Sequence, residues 1–248
     1  EILINHPKRI ADKVKDEVNV KYILDLRDFD DLPYSDKFIK DFSIIENDDS
    51  VKIVVEVMGG TEPAYSFVKA CLLKGKSVVT SNKELVAAKG AELLKIAKEN
   101  NVNFLFEASV GGGIPLIRPL YSSMNAAGIT EIAGILNGTT NYILTKMSKE
   151  GLAFDTVLKE AQELGYAERN PEADVEGYDA CRKIAILTSL AYGKQLDFED
   201  IYTEGITKIT TEDFAYAKKM ERSIKLLASS KKTDGTYACM VAPFMLDK

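Results

Sequence analysis

The first hundred residues alternate short β-branched or aliphatic runs with longer helical patterns, and this alternation restricts the fold more than any other feature. The runs that predict strands are residues 20–26, 51–57, 77–80 and 102–106. Helical patterns at residues 62–73 and 82–99 lie between the last three runs. Because strands separated by helices pair in parallel through crossover connections, the sequence predicts an α/β fold with a Rossmann-like, doubly wound parallel sheet.

The run at residues 51–57 is almost continuously apolar, which is typical of a parallel strand that is buried on both faces. Met58, Gly59, Gly60 and Thr61 follow it directly. Parallel sheets bind ligands beyond the carboxyl ends of their strands. Gly59 and Gly60 are therefore candidate cofactor-binding residues.

The pattern changes after the three glycines at 111–113. A strand is predicted at 131–136, helices at 140–149, 154–164, 175–192 and 212–228, and a final strand at 237–245. This mixture predicts a second domain of the α+β class. We place the boundary near Phe106, so that residues 1–106 form a nucleotide-binding domain and residues 107–248 form the second domain.

Composition excludes several classes of partner. Lys and Arg number 32 against 38 Asp and Glu, and no basic block could follow a phosphate backbone, which argues against nucleic acid. No apolar run approaches the roughly 20 residues that span a bilayer, and the N-terminus does not resemble a signal peptide. The three cysteines lack CxxC spacing and suit reduced core positions. We expect a soluble, cytoplasmic protein.

Thr80, Ser81 and Lys83 stand where a predicted strand ends and a helix begins. Ser81 and Glu84 fit a capping box, which places Lys83 in the first helical turn. A cation there opposes the helix macrodipole, so its position carries a cost that a functional role would explain. Thr80, Ser81 and Lys83 are therefore candidates to contact a cofactor, and Lys83 also a substrate carbonyl. A solvated surface lysine is an equally compatible interpretation.

Two further segments have simple structural explanations. The glycines at 111–113 permit either close approach of a ligand or a hinge between domains. Asn137 and Gly138 suit a chain reversal, with Thr139 or Thr140 as the N-cap of the next helix.

The segment 165–183 is the richest in chemistry. Asp174 fits the N-cap of the helix that follows. Asp179 and Lys183 lie four residues apart and share one helical face. On a surface such a pair contributes less than about 1 kcal/mol. The apolar residues 184–187 indicate instead a buried helix, where an aspartate and a lysine are candidates for general acid–base catalysis.

Taken together and in this order, segments 78–83, 107–115, 134–143 and 165–183 resemble the homoserine dehydrogenases over residues 51–183. These enzymes interconvert aspartate semialdehyde and homoserine with NADH or NADPH, in the biosynthesis of threonine, methionine and isoleucine. The resemblance implies an NAD(P)-dependent oxidoreductase with a small-molecule substrate. A final apolar strand at 237–245 suits an intersubunit sheet, so we expect a homodimer or a higher homo-oligomer.

The resemblance also implies roles for individual residues. Lys183 would be the general acid toward the carbonyl oxygen, Asp179 would hold substrate beside it, and Lys83 would lie between nicotinamide and substrate. Glu168, with Gly165 nearby, would bind the substrate amino group. The chemistry agrees, since hydride addition leaves negative charge on oxygen that a lysine stabilises and protonates. The substrate-binding candidates are Gly165, Glu168, Asp174 and Asp179.

Similar enzymes hold a sodium ion near the domain junction. The resemblance implies that its ligands here are largely backbone oxygens. The candidate metal-binding residues are Glu107, Val110, Gly112 and Ile114. A hard cation with oxygen ligands suits a glycine-rich loop.

The sequence departs from the family at both ends. No G-x-G-x-x-G precedes the strand at 20–26, and the family continues beyond the last apolar run, so we expect an incomplete Rossmann-like unit that binds cofactor poorly. Arg27 follows that strand where an NADP 2′-phosphate would lie, flanked by Asp25 and Asp28. An acidic residue there favours NAD. NADP is the expected cofactor, with NAD as the alternative.

Two other functions are compatible with the same residues. The chain could act on another small amino acid or a sugar with the same cofactor. It could also be a catalytically idle regulatory or assembly module of the same fold. The presence of Glu168, Asp179 and Lys183 together argues against an idle module, because buried charges are costly to retain without a use.

Overall fold

A computed structural model describes residues 2–124 and 128–247. It has the predicted fold class, with a Rossmann-like parallel sheet and a second, α+β unit built on a mixed sheet. The helices are α1 (Ile2–Asn5), α2 (Pro7–Val14), α3 (Phe42–Asn47), α4 (Ala64–Leu73), α5 (Lys83–Glu99), α6 (Ile117–Pro119), α7 (Gly138–Glu150), α8 (Phe154–Glu163), α9 (Glu172–Val175), α10 (Tyr178–Tyr192) and α11 (Thr211–Lys219). The strands are β1 (Ile23–Leu24), β2 (Phe38–Ile39), β3 (Ile53–Glu56), β4 (Ser77–Thr80), β5 (Phe104–Leu105), β6 (Glu131–Gly134), β7 (Tyr202–Thr203), β8 (Arg222–Thr233) and β9 (Thr236–Asp247).

The first unit is built on two parallel sheets. Strands β3, β4 and β5 pair in that order, while β1 and β2 form a separate parallel pair. Helices α4 and α5 bury one face of the larger sheet, where Val78 is fully buried against Leu72 and Leu85. Each such aliphatic side chain stabilises the fold by about 1.5–3 kcal/mol. The order β3, α4, β4, α5, β5 is the strand–helix alternation that the sequence predicted.

The expectation that strand 51–57 is buried on both faces is wrong for the residues that the structure describes. Ile53 and Val55 are 57% and 61% exposed, and Leu105 on the same face is 54% exposed. The reason is that α4 and α5 pack on the opposite face only.

The second unit is a four-stranded mixed sheet in the order β6–β8–β9–β7, with helices on one face. Strands β8 and β9 form an antiparallel hairpin from Arg222–Asp247 to Thr233–Thr236. Ile224, Leu226 and Ala228 alternate toward the core, as a strand with one buried face requires. The strand expected at 237–245 is confirmed as part of β9.

Two predicted helices have different bounds. The helix expected at 212–228 ends at Lys219, and strand β8 follows it from Arg222. The prediction was wrong there because pairing with β9 and β6 overrides the local pattern. The helix expected from 175 begins at Tyr178, after the short helix α9 and the left-handed residue Gly177 (φ 85°).

Helix α10 connects the two hydrophobic cores. Ile184 and Ala185 pack in the core of the second unit, whereas Ile186 and Leu187 pack in the core of the first. The predicted burial of this helix is confirmed, and it places the first turns of α10 at the junction of the two units.

The remaining sequence expectations concern membranes and thiols. Across residues 2–124 and 128–247, no helix is both long enough and apolar enough to cross a bilayer. All three cysteines are free, and Cys71 and Cys181 are buried. Burial raises the pKa of the Cys71 thiol to about 11, which keeps it protonated and unreactive at neutral pH.

Candidate active site

A cleft of about 550 Å³ opens at this junction, between the first residues of α5, α7 and α10. It brings together residues from four segments of the chain. The lining residues are Lys83, Asn137, Gly138, Thr139, Tyr142, Gly165, Tyr166, Asp174, Asp179 and Lys183. Five of the predicted site residues, Lys83, Gly165, Asp174, Asp179 and Lys183, are thus in one place.

Lys83 lies in the first turn of α5, as the sequence predicted, but the predicted cap is wrong. Asn82 is the N-cap, and its Oδ1 accepts a hydrogen bond from the Leu85 amide at 3.1 Å. The helix begins one residue later than a Ser81–Glu84 capping box requires. Glu84 instead forms an ion pair with Arg182 of α10 at 3.3 Å.

A buried hydrogen-bond network joins the ends of β3 and β4. The Thr80 hydroxyl donates to the Glu56 carboxylate, which is 4% exposed, and accepts from the Asn82 amide at 2.9 Å. Glu56 also accepts from the Met58 amide at 2.5 Å, and the Asn82 side chain donates to the Gly60 carbonyl at 2.7 Å. The network therefore holds the loop with Gly59 and Gly60 against the start of α5. Sequence reasoning missed Glu56, whose signal was a carboxylate within an apolar strand.

Asp179 is the centre of the cleft. Its side chain is 3% exposed, and its Oδ2 and Oδ1 lie 2.6 Å from Lys183 Nζ and 2.5 Å from Lys83 Nζ. Burial disfavours the charged carboxylate, but the ion pairs with Lys183 and Lys83 outweigh it, so the pKa of Asp179 is lowered. Lys183 also donates to the Leu136 carbonyl at 2.8 Å. The arrangement supplies two ammonium groups around one buried anion.

Asp174 does not cap the helix that follows, so that expectation is wrong. Gly177 is the N-cap of α10, and Asp174 Oδ1 accepts a hydrogen bond from Asn137 Nδ2 at 2.7 Å. The same Nδ2 donates to Asp179 at 2.9 Å. Asn137, rather than Thr139 or Thr140, is the N-cap of α7. Sequence reasoning explained Asn137 as a turn residue and missed its place in the cleft.

Of the two residues that were predicted to lie at the substrate amino group, Gly165 lines the cleft and Glu168 does not. Gly165 lines the cleft beside Tyr166, whose ring packs on Tyr142 with centroids 4.9 Å apart. The Glu168 side chain is exposed and is not among the lining residues, and its carbonyl accepts from Gln162 at 3.1 Å. The structure therefore does not bring Glu168 to Asp179.

Arg27 also lies outside this cleft. Its guanidinium is exposed and pairs with Asp25 at 2.8 Å and 3.0 Å. The hydrogen bonds from Arg27 lower the pKa of Asp25 to about 2. The Arg27 guanidinium, which was predicted to bind the 2′-phosphate of NADP, thus forms an ion pair with Asp25.

The glycine-rich loop contains the predicted sodium ligands. The Glu107 carboxylate accepts from the backbone amides of Leu116, Ile117 and Arg118, at 2.6–2.9 Å. The carboxylate is thus occupied by these amides. The predicted sodium ion would instead bind the backbone oxygen of Glu107. Within the described part of the chain, no cluster of three or more His, Cys, Asp or Glu side chains could hold a metal ion. Sodium at Glu107, Val110, Gly112 and Ile114 stays a prediction.

Two family models match the chain. The model described as "Homoserine dehydrogenase, NAD binding domain" covers residues 11–107, and the model described as "Homoserine dehydrogenase" covers residues 115–248. Homoserine dehydrogenase from Bacillus subtilis is 40% identical over 251 residues, which cover 99% of this chain and 58% of the relative. The enzyme from Synechocystis is 50% identical over 188 residues, covering 76% and 43%.

Solved structures agree with these matches. A crystal structure of a homoserine dehydrogenase from Thiobacillus denitrificans has a TM-score of 0.91 at 39% identity, covering 98% of this chain and 57% of that one. A hyperthermophilic archaeal homoserine dehydrogenase in complex with NADPH has a TM-score of 0.75 at 29% identity, covering 98% and 67%. The chain spans slightly under three fifths of the Bacillus and Thiobacillus relatives. On these matches, the chain belongs to the homoserine dehydrogenase family.

Proposed function

We propose that the protein containing this chain interconverts L-aspartate 4-semialdehyde and L-homoserine with NADP or NAD, as a cytoplasmic enzyme of amino-acid biosynthesis. The observation that carries the proposal is the buried Asp179 carboxylate, which binds the amines of Lys83 and Lys183 in an open cleft. Family membership supports the same reaction. The alternatives of another small substrate or an idle module have no such support.

Lys183 is the proposed general acid. Its amine is held by Asp179 and the Leu136 carbonyl, and its side chain is 19% exposed, so it can reach a ligand in the cleft. A bound nicotinamide supplies the hydride that adds to the aldehyde carbon. As that C–H bond forms and the carbonyl π bond breaks, Lys183 donates its proton to the oxygen. The positive amine also stabilises the developing charge, and the reverse reaction returns the proton to Lys183.

Acidic residues would bind the substrate ammonium group. Asp174 lines the cleft, and Asn137 engages its Oδ1, so Oδ2 is the oxygen proposed for the ammonium group. Gly165 would shape that end, and Glu168 would need to turn inward from its exposed position to take part. Lys83, with 38% of its side chain exposed, would contact the substrate at the end nearer the cofactor.

The residues at the ends of β3 and β4 fit the nicotinamide end of a cofactor. Thr80 and Ser81 precede Lys83 in the chain, the Gly60 carbonyl accepts from the Asn82 side chain, and a methyl group added at Gly59 would meet no atom within 4 Å, so the loop leaves open space beside these strand ends. No glycine precedes Gly59, so the chain contains no G-x-G-x-x-G turn before that position. We assign Arg27 to the 2′-phosphate, which favours NADP over NAD.

We further propose a division into two domains, a sodium ion at their junction and a second copy of the chain as partner. Residues 1–106 form the nucleotide-binding domain and residues 107–248 the catalytic domain. A sodium ion at their junction would use the backbone oxygens of the glycine-rich loop. A second copy of the chain would cover the outer face of the mixed sheet, where the paired residues Tyr202 and Met240 are 58% and 37% exposed.

The test is a substrate panel with the intact protein. Homoserine should reduce NADP⁺ or NAD⁺, and aspartate semialdehyde should oxidise the reduced cofactor, while serine, threonine and small sugar alcohols should react far more slowly. Activity confined to another alcohol would replace the substrate assignment. Saturable cofactor binding without turnover of any compound would favour the idle module.

A further inference from the structure

We propose that Asn137 is a positioning residue that fixes the separation of Asp174 and Asp179 and, through Asp179, the place of the Lys183 amine. Asn137 is 6% exposed and stands between β6 and α7. Its effect on turnover rests on the proposed function, whereas its effect on the two carboxylates does not.

Every hydrogen-bonding atom of the Asn137 carboxamide is used. Its Oδ1 accepts from the Thr140 amide at 2.8 Å and from the Thr140 hydroxyl at 3.0 Å. Because a backbone N–H can only donate, the oxygen must face Thr140 and the NH₂ group must face the cleft. The two protons of Nδ2 then go to Asp174 Oδ1 at 2.7 Å and to Asp179 Oδ2 at 2.9 Å.

The two hydrogen bonds from Asn137 Nδ2 offset the repulsion between the carboxylates of Asp174 and Asp179. Two carboxylates that share a site repel each other, and this repulsion raises the pKa of one of them. The NH₂ group of Asn137 lies between Asp174 and Asp179 and donates one hydrogen bond to each carboxylate. Burial raises the pKa of Asp179, whereas the two lysines and, to a smaller extent, the hydrogen bond from Asn137 lower it.

The chain segment at Asn137 also holds both partners of the ion pair. The Leu136 carbonyl accepts from Lys183 Nζ at 2.8 Å, and the adjacent Asn137 side chain donates to Asp179 Oδ2. Oδ2 accepts from Lys183 as well, at 2.6 Å. The segment between β6 and α7 therefore fixes the proposed general acid and its counter-ion through two neighbouring residues.

A purely structural role as the N-cap of α7 is the competing explanation, and Asn137→Asp separates the two. Aspartate is an equally good N-cap, so α7 keeps its start. The substitution replaces the two donors by an acceptor and adds a third carboxylate. Thr210→Ala is the matched control, because Thr210 caps α11 and does not line the cleft.

The experiment measures homoserine oxidation against pH, and unfolding by urea against pH, for the native protein and these variants. Asn137→Asp should lower kcat/KM by about tenfold to a hundredfold, the range for a lost hydrogen bond to a charged group. It should also shift the acidic side of the plot of kcat/KM against pH to higher pH. Its stability deficit should grow as pH rises above about 4 and should level off above the raised folded-state pKa, because between these two values only the unfolded state loses the proton.

Thr210→Ala should lose stability and retain kcat/KM and its pH profile. Native kcat/KM and an unshifted profile in Asn137→Asp would overturn the proposal. If Asn137→Asp does not fold, Asn137→Ser tests the same point, because serine caps the helix without charge and is too short to bridge both carboxylates. If the native protein does not oxidise homoserine, the proposed function fails, while the pH dependence of stability still decides the role of Asn137.

Discussion

Lys83 and Lys183 bind opposite oxygens of a single carboxylate, that of Asp179, at 2.5 Å and 2.6 Å. Lys83 begins α5 of the parallel-sheet unit, whereas Lys183 lies on α10. The shared anion therefore holds two cations from different units close together in the cleft. Without it the two lysine side chains, which carry like charge, would repel each other.

Replacing Lys183 by alanine tests the proposed proton donor. Removing a general acid lowers turnover by about 10²- to 10⁴-fold, and cofactor affinity should be unchanged because the β3 and β4 strand ends are untouched. Steady-state kinetics and cofactor titration separate the two effects. Lys231→Ala is the control, since Lys231 pairs with Glu131 on the surface. Near-normal turnover in Lys183→Ala would remove Lys183 from the mechanism.

Replacing Asp179 by asparagine should change how stability depends on pH. The pKa of Asp179 is lowered from its ordinary value of 3.8, so its contribution to stability is complete above about pH 4 and is lost as pH falls through the folded-state pKa. The variant should therefore be less stable than the native protein at neutral pH, with the difference shrinking in acid. Urea unfolding at several pH values measures this, and a constant difference would contradict the ion-pair argument.

Replacing Gln195 by alanine should loosen the contact between α5 and the segment after α10. The Gln195 side chain donates to the Ala87 carbonyl at 2.7 Å and accepts from the Ala91 amide at 3.2 Å. Losing two hydrogen bonds should lower the free energy of unfolding by about 1–3 kcal/mol. Gln195→Glu keeps the acceptor and loses the donor, so its measured loss should be smaller. Equal stability of all three proteins would show that the contact is unimportant.

Replacing Gly205 by alanine should be severely destabilising. A methyl group there would lie 2.2 Å from the Val175 carbonyl oxygen and 2.5 Å from the Glu176 Cα, and these backbone atoms cannot move without shifting the start of α10. We expect a loss of more than about 4 kcal/mol in the free energy of unfolding. Gly113→Ala is the control, because a methyl group there meets nothing within 4 Å. Chemical denaturation compares them, and similar midpoints would contradict the packing argument.

Local patterns predicted the parts of the site that lie within one element. Lys83 at the start of α5, and Asp179 with Lys183 four residues apart on α10, could be read from strand ends and helical spacing. The same reasoning was wrong for Asp174, because a capping pattern cannot reveal that Asn137 from a remote segment binds the carboxylate. Glu56 was missed for the same reason, since its partner Thr80 lies on the neighbouring strand β4.

The sequence by itself determined the parallel-sheet unit, the buried helix α10 and the identity of the charged residues, because period and composition are local properties of the chain. Only the tertiary structure decided that β8 is a strand and that Lys83, Asn137 and Asp174 converge on Asp179. Those contacts join segments far apart in the chain. Their distances are set by how α5, α7 and α10 pack, which no single segment encodes.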